Sequence, residues 1–168
     1  MYNRLVRNRA LVKEAWSGID VQLKRRHDLI PNLVETVKGY MQHEKTVLEN
    51  VTDLRSRLMG TTDPKERMQM EQGLTQALKT IFALSEAYPE LKASEGFLKL
   101  QDNLREIEEQ IQMARRYYNG SARNYNIMTQ SFPSTVIARW FRFDPVEYFE
   151  IESATERAVP DVNFNQQQ

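Results

Sequence analysis

Apolar residues recur along this chain in alternating steps of three and four, the spacing that lines one face of an α-helix. Leu5, Val12, Trp16, Ile19 and Leu23 open the series, and Ile30, Leu33, Val37, Tyr40, Val47, Val51, Leu54 and Leu58 continue it. Three positions break the pattern: Arg9, Arg26 and Glu44. After Gly60, Asp63 followed by Pro64 supplies a capping carboxylate and a proline at the first helical position, a start signal. Met70, Leu74, Ala77, Ile81, Leu84 and Tyr88 then repeat the spacing until Pro89. A further start near Ser94 opens the longest stripe, from Phe97 through Leu104, Ile107, Ile111, Tyr118 and Tyr125 to Met128 and Phe132. The phase survives Asn119-Gly120, so Gly120 is expected inside a helix and not in a turn.

Seams this long predict an all-α fold in which helices wrap on one another and the seam is the core. Pro31 leaves two arrangements. A single helix kinked there would run from residue 2 to 59 and measure about 87 Å, too long for the next helix of about 36 Å to lead the chain back over it. A turn at Asp28-Leu29-Ile30-Pro31 instead gives helices of about 26, 29, 25 and 38 residues, which suit an antiparallel up-and-down four-helix bundle with Asp28 capping the second helix. The turn is the expected reading, with the first two helices fused and kinked at Pro31 as its alternative. Residues 135–143 form a short amphipathic helix after Pro133, and 144–168 read as an extended acidic tail, which divides the chain into a bundle domain, 1–143, and that tail.

Composition narrows the class. Six Gly and six Pro in 168 residues are too few for a turn-dense β fold. The 23 basic and 23 acidic residues cancel, but not evenly: residues 1–26 carry seven bases and two acids, whereas 144–168 carry six acids and one base. A neutral total argues against a chain that coats nucleic acid. The absence of cysteine excludes disulfides, thiolate metal sites and cysteine nucleophiles. No apolar run approaches the ~18–20 residues that span a bilayer, and no signal-peptide pattern opens the sequence, which therefore reads as a soluble polypeptide.

Specific stretches go further. Tyr2-Asn3-Arg4-Leu5-Val6, the run Ala15-Trp16-Ser17-Gly18-Ile19-Asp20-Val21-Gln22-Leu23-Lys24-Arg25-Arg26, and the run from Asp28-Leu29-Ile30-Pro31 to Lys38-Gly39-Tyr40 resemble the bacterial LemA family. Arg116-Tyr117-Tyr118-Asn119, Ser131-Phe132-Pro133-Ser134, Glu147-Tyr148-Phe149 and Asp161-Val162-Asn163-Phe164 fit the same family, so the likeness covers almost the whole chain. Gly120 departs from it, standing where family members more often carry a helix former. The resemblance implies a helical domain of unestablished biochemical role, held by one transmembrane helix just ahead of the Tyr2-Asn3 pair, where this sequence has only Met1. The expected location is the bacterial inner membrane, single-pass.

Catalytic and metal-binding patterns are absent. A bundle metal site needs matched Glu-x-x-His motifs, and neither His27 nor His43 belongs to one; His43-Glu44 begins like a zincin helix, but Val47 stands where the second histidine would be. There is no Gly-x-Ser-x-Gly elbow and no glycine-rich phosphate loop. Ser17-Gly18 reads as a close approach of helices. Arg9, Arg26 and Glu44 are either a buried polar device that fixes register or, as preferred, long side chains reaching out of a bundle end.

The remaining candidates are contact residues. Arg4, Arg7, Arg9 and Lys13 fall where Lys/Arg bias sets orientation if a membrane helix ends near residue 1, which places the domain in the cytoplasm. Arg139, Trp140, Phe141, Arg142 and Phe143 mix cations with aromatics as interfacial segments do, and either meet a membrane or partner or cap the bundle floor. The expected function is a non-enzymatic interaction or scaffold module with an unidentified protein partner, no cofactor, no nucleic acid and no small-molecule substrate. The alternative is an enzyme or ligand-binding bundle with a polar interior site.

Overall fold

The computed structural model describes residues 1–149. These form six helices and no strand: α1 (Tyr2–Lys38), α2 (Lys45–Gly60), α3 (Pro64–Ser85), α4 (Pro89–Lys92), α5 (Glu95–Gln130) and α6 (Ser134–Trp140). The all-α class is as the seams imply. Start signals sit where expected, with the Asp63 carboxylate accepting from the Glu66 amide and the Ser94 hydroxyl from the Phe97 amide. α5 runs straight on through Gly120.

The turn expected at Asp28–Pro31 does not exist. α1 continues through Pro31 for two more turns and stops at Lys38, so the fused helix to residue 59 is equally absent, and the chain reverses over 39–44. Asp28 is an exposed mid-helix residue rather than a cap. What lets the helix tolerate proline is visible on its neighbour. Pro31 has no N–H, so the carbonyl four residues back, that of His27, lacks its helical donor. Arg55 of α2 supplies one, its Nε donating to that oxygen at 2.9 Å. The defect in one helix thus becomes a docking point for the next. Arg55→Ala is expected to cost about 1–2 kcal/mol. In a Pro31→Ala background the restored amide takes over the carbonyl, and the loss should shrink by at least about 0.5 kcal/mol. Urea denaturation of the four proteins checks this, and strict additivity would contradict it.

Length then dictates where the core lies. α1 and α5 are each about 55 Å long, whereas α2 and α3 are about 24 and 33 Å, so the shorter pair covers only one half of the longer. Directions follow from the contacts. Trp16 meets Tyr118 and Arg26 meets Glu108, so α1 and α5 are antiparallel; Asp20 pairs with Arg67 and Arg26 with Glu71, so α3 runs with α1. One apolar cluster joins α1 from Ile30 onward with α2, α3, α4 and the start of α5. The other joins α1 from Leu5 to Leu23 with α5 from Ile107 onward, together with Met68, Ala138, Phe143 and Phe149.

Packing departs from three expectations. Residues 143–149 are held by the core, with Phe143 and Phe149 buried and Val146 packed against them, so the boundary at 143/144 does not separate bundle from tail there; 150–168 lie outside the described residues. Phe132, counted in the stripe, is 84% exposed because it follows the end of α5. Gly18 marks no close approach, since an added Cβ would meet nothing within 4 Å.

α6 ends on a Schellman-type turn. The Phe143 amide donates to the Ala138 carbonyl at 2.8 Å and the Arg142 amide to that of Arg139 at 3.4 Å, with Arg142 at φ 54° in the left-handed position usually given to glycine. Buried Ala138 and Phe143 provide the apolar contact that accompanies the motif.

Candidate functional site

Two constellations stand out, one at an end of the molecule and one at its centre. At the end, α1 begins where α6 finishes. The Tyr2 ring lies 4.8 Å from that of Phe141 and 5.8 Å from that of Phe143, and the Arg9 guanidinium sits 5.7 Å from the Phe143 centroid. Phe143 is the buried base of this end and Phe141 is half exposed. Trp140, 82% exposed, and Phe132 project into solvent, joined by exposed Val136 and Val6. Trp140 therefore covers no part of the bundle floor, whereas Phe141 rests partly on Tyr2. Arg4, Arg7, Arg139 and Arg142 are exposed and make no ion pair among the described residues. Four guanidiniums without an ion pair among the described residues therefore share one end with several exposed aromatic side chains. Sequence reasoning named Arg4, Arg7, Arg9 and residues 139–143 but missed Tyr2 and Phe132. Phe132 follows the last helical turn, where the seam's spacing carries no information.

At the centre, between the two apolar clusters, lies a polar layer. Arg26 is 1% exposed, not extended out of a bundle end, so its break in the seam is the buried device. Its Nη1 donates to the Thr75 hydroxyl at 2.6 Å and to Glu108 at 2.9 Å, while Nη2 binds the carboxylate and the backbone carbonyl of Glu71. His27 Nε2 lies 2.7 Å from the other Glu71 oxygen, a hydrogen bond whenever that nitrogen carries the proton. Burial pushes the Glu71 carboxyl up, but the His27 contact and the Arg26 guanidinium outweigh it and hold the group below its ordinary value. Of the other two interruptions, Arg9 is exposed and Glu44 only half-buried at the start of α2. The space beside this layer measures about 10 Å³, no more than a single water needs, so it offers no seat for a substrate. His43 is exposed, and no cluster of potential metal ligands occurs among the described residues.

A larger opening, about 770 Å³, lies where α3 begins beside α1. Its floor is Val12, Trp16, Met68 and Tyr118, and Lys13 and Lys65 stand at its rim with Asp63 and Glu147. Burial pushes the Tyr118 phenol up, with the Glu147 carboxylate adding to the effect. The cleft is apolar below and mixed in charge above. No helix among the described residues is long and apolar enough to cross a membrane.

The model of the LemA family matches residues 15–164. The chain belongs to the LemA family. It is 29% identical over 142 residues to Protein LemA of Metamycoplasma hominis, an alignment that takes in 82% of this chain and 60% of that protein. It is also 22% identical over 169 residues to magnetosome protein MamQ of Magnetospirillum gryphiswaldense, with 85% and 62% covered. To magnetosome protein MamQ 2 of Paramagnetospirillum magneticum it is 23% identical over 184 residues, with 94% and 68% covered. The chain thus spans about three fifths of the length of the first two relatives. The LemA-family match contains Arg139–Phe143 and the polar layer but begins after Arg4, Arg7 and Arg9.

Proposed function

We propose that this LemA-family domain is a non-enzymatic interaction module that rests on the cytoplasmic face of a bacterial inner membrane, its aromatic and arginine-rich end against the bilayer. The observation that carries the reading is the pairing, at one end, of exposed Trp140, Phe141 and Phe132 with four arginines that make no ion pair among the described residues. Trp140, whose indole has a polar N–H, is of the type that partitions to the headgroup level, the phenylalanines add apolar area, and cations there are drawn to anionic lipid. Chain geometry agrees, because α1 starts at this same end, where the family resemblance implies a membrane anchor. Arginines so close to a membrane segment favour the cytoplasmic side. The rest of the surface remains for an unidentified protein partner.

Flotation with vesicles tests the lipid contact. The 168-residue chain should bind vesicles rich in phosphatidylglycerol and not those of phosphatidylcholine. Each Arg→Gln change among Arg4, Arg7, Arg139 and Arg142 should weaken binding about fivefold, as expected for ~1 kcal/mol per charge at the surface. Trp140→Ala with Phe141→Ala should weaken it further, leaving thermal stability unchanged. Equal binding to both lipids, or indifference to all six substitutions, would sink the proposal.

A further inference from the structure

Residues 143–149 occupy the groove between α1 and α5 in an unusual way. Phe143, Val146 and Phe149 face inward at a period of three, the repeat of an extended polyproline-like chain and of neither an α-helix nor a flat strand. Two asparagines of α5, one heptad apart, hold the backbone of this strap. Asn126 accepts from the Val146 amide at 2.8 Å and donates to its carbonyl at 2.8 Å; Asn119 does the same for Phe149, at 2.8 and 2.9 Å. The spacings match: seven helical residues rise about 10.5 Å and three extended residues about 9–10 Å. Between these rungs, the Tyr118 hydroxyl donates to the Glu147 carbonyl at 2.8 Å. The Phe149 ring then lies 4.7 Å from the Arg115 guanidinium and 6.2 Å from the Trp16 ring.

All these contacts are made by backbone groups and three apolar side chains of the strap, so none requires that strap and groove belong to the same chain. The connection between them is short and strained. A single residue, Arg142, separates the C-cap Phe141 from Phe143, and among the described residues it alone has a positive φ without being glycine. A short hinge under strain is the arrangement that invites segment exchange between identical copies.

We propose that two copies of this chain exchange residues 143–149 about Arg142, each α1–α5 groove receiving the strap of the other. The occupant is chemically identical to the one seated in the monomer, so the exchanged dimer needs no new contact surface. Opening the turn releases the left-handed residue, and closing it restores the Schellman hydrogen bonds. The balance between forms therefore rests on position 142.

Sedimentation equilibrium of the full 168-residue chain without lipid reads this balance. Arg142→Pro cannot adopt a positive φ and has no amide to close the turn, so it should dimerise at least tenfold more tightly than the parent. Arg142→Gly is at ease in the left-handed position and should dimerise at least tenfold more weakly or not at all. Adding Asn119→Ala and Asn126→Ala to Arg142→Pro removes the rungs and should return it to monomer. Should the proline protein fail to show a helical circular dichroism spectrum, deletion of Arg142, which also prevents closure, must produce the dimer instead. A folded proline or deletion variant that stays monomeric, or a dimer that survives loss of both asparagines, overturns the exchange.

Discussion

Replacing Glu71 with alanine is expected to lower the unfolding free energy by about 3–5 kcal/mol, the cost of leaving a buried charge without its partner. Arg26 lies between the two apolar clusters, and its Nε already has no hydrogen-bond partner among the described residues. Losing Glu71 strips Nη2 of its carboxylate and leaves it the backbone carbonyl of residue 71, and a water in the vacated space is neutral and cannot replace the lost charge. Thr75 and the partly exposed Glu108 still hold Nη1, which keeps the loss from growing larger. The paired change Arg26→Met with Glu71→Leu should cost far less than the single one, and is expected near neutrality or above it, because desolvation of both charges is avoided together. What such a protein should lose is the register that ties α1 to α3 and α5. Urea denaturation with a falling m-value or broadened transition in the double variant reads that loss.

The same carboxyl links stability to acid. Its folded value lies below the ordinary 4.5, so its contribution is complete above the range in which the unfolded chain titrates and is lost as pH falls through the lower, folded value. Glu71→Gln should flatten stability against pH in that acid window. A dependence unchanged by the substitution would show that other carboxylates govern it.

Phe149→Ala is the second large effect, expected at about 3 kcal/mol for an aromatic side chain that is 2% exposed and packed on Trp16, Tyr118 and Arg115. Phe132→Ala, by contrast, should fall within about 0.5 kcal/mol of the parent. Thermal or chemical denaturation of the two proteins separates the outcomes cleanly. The comparison bears on what counts as the body of the domain: if Phe149→Ala were silent, the strap would add nothing to the packing that α5, α6 and Met68 already give the first half of α1.

These two residues also mark how far the sequence can be read. α5 was legible because its stripe persists over 36 residues and begins at a capping serine, so a single unfavourable Gly120 could not hide it. Asp63-Pro64 announced α3 for the same local reasons. Pro31 misled because its penalty is met by a distant residue, Arg55, and no local rule foresees that the orphaned His27 carbonyl will find a donor on the next helix. Arg26 was visible as a break in the seam, but its partners on α3 and α5 lie 45 and 82 residues away. Glu71 carried no mark of its own, standing beside Met70 on a helix whose buried face is wider than a simple stripe. The strap was hidden because Phe143, Val146 and Phe149 repeat every third residue, a period that belongs to neither common element.

At the exposed end, the composition of residues 139–143 was readable, and so was its expected nearness to the start of the chain. Sequence could not assign sides within it. Helix phase does not tell that Phe143 turns inward under Tyr2 while Trp140 turns out, because the left-handed Arg142 redirects the chain between them.

If this end of the LemA-family domain lies in a lipid headgroup layer, tryptophan fluorescence will report it. The chain has two tryptophans, Trp140 at the exposed end and Trp16 packed against Tyr118 midway along α1. With Trp16→Phe, only Trp140 reports. On phosphatidylglycerol vesicles containing brominated lipids, its emission should shift to the blue and be quenched most by bromines near the headgroups, whereas a Trp140→Phe protein reporting from Trp16 should be unaffected. Unquenched, unshifted Trp140 on vesicles to which the protein is demonstrably bound would rule out this end as the lipid-facing one.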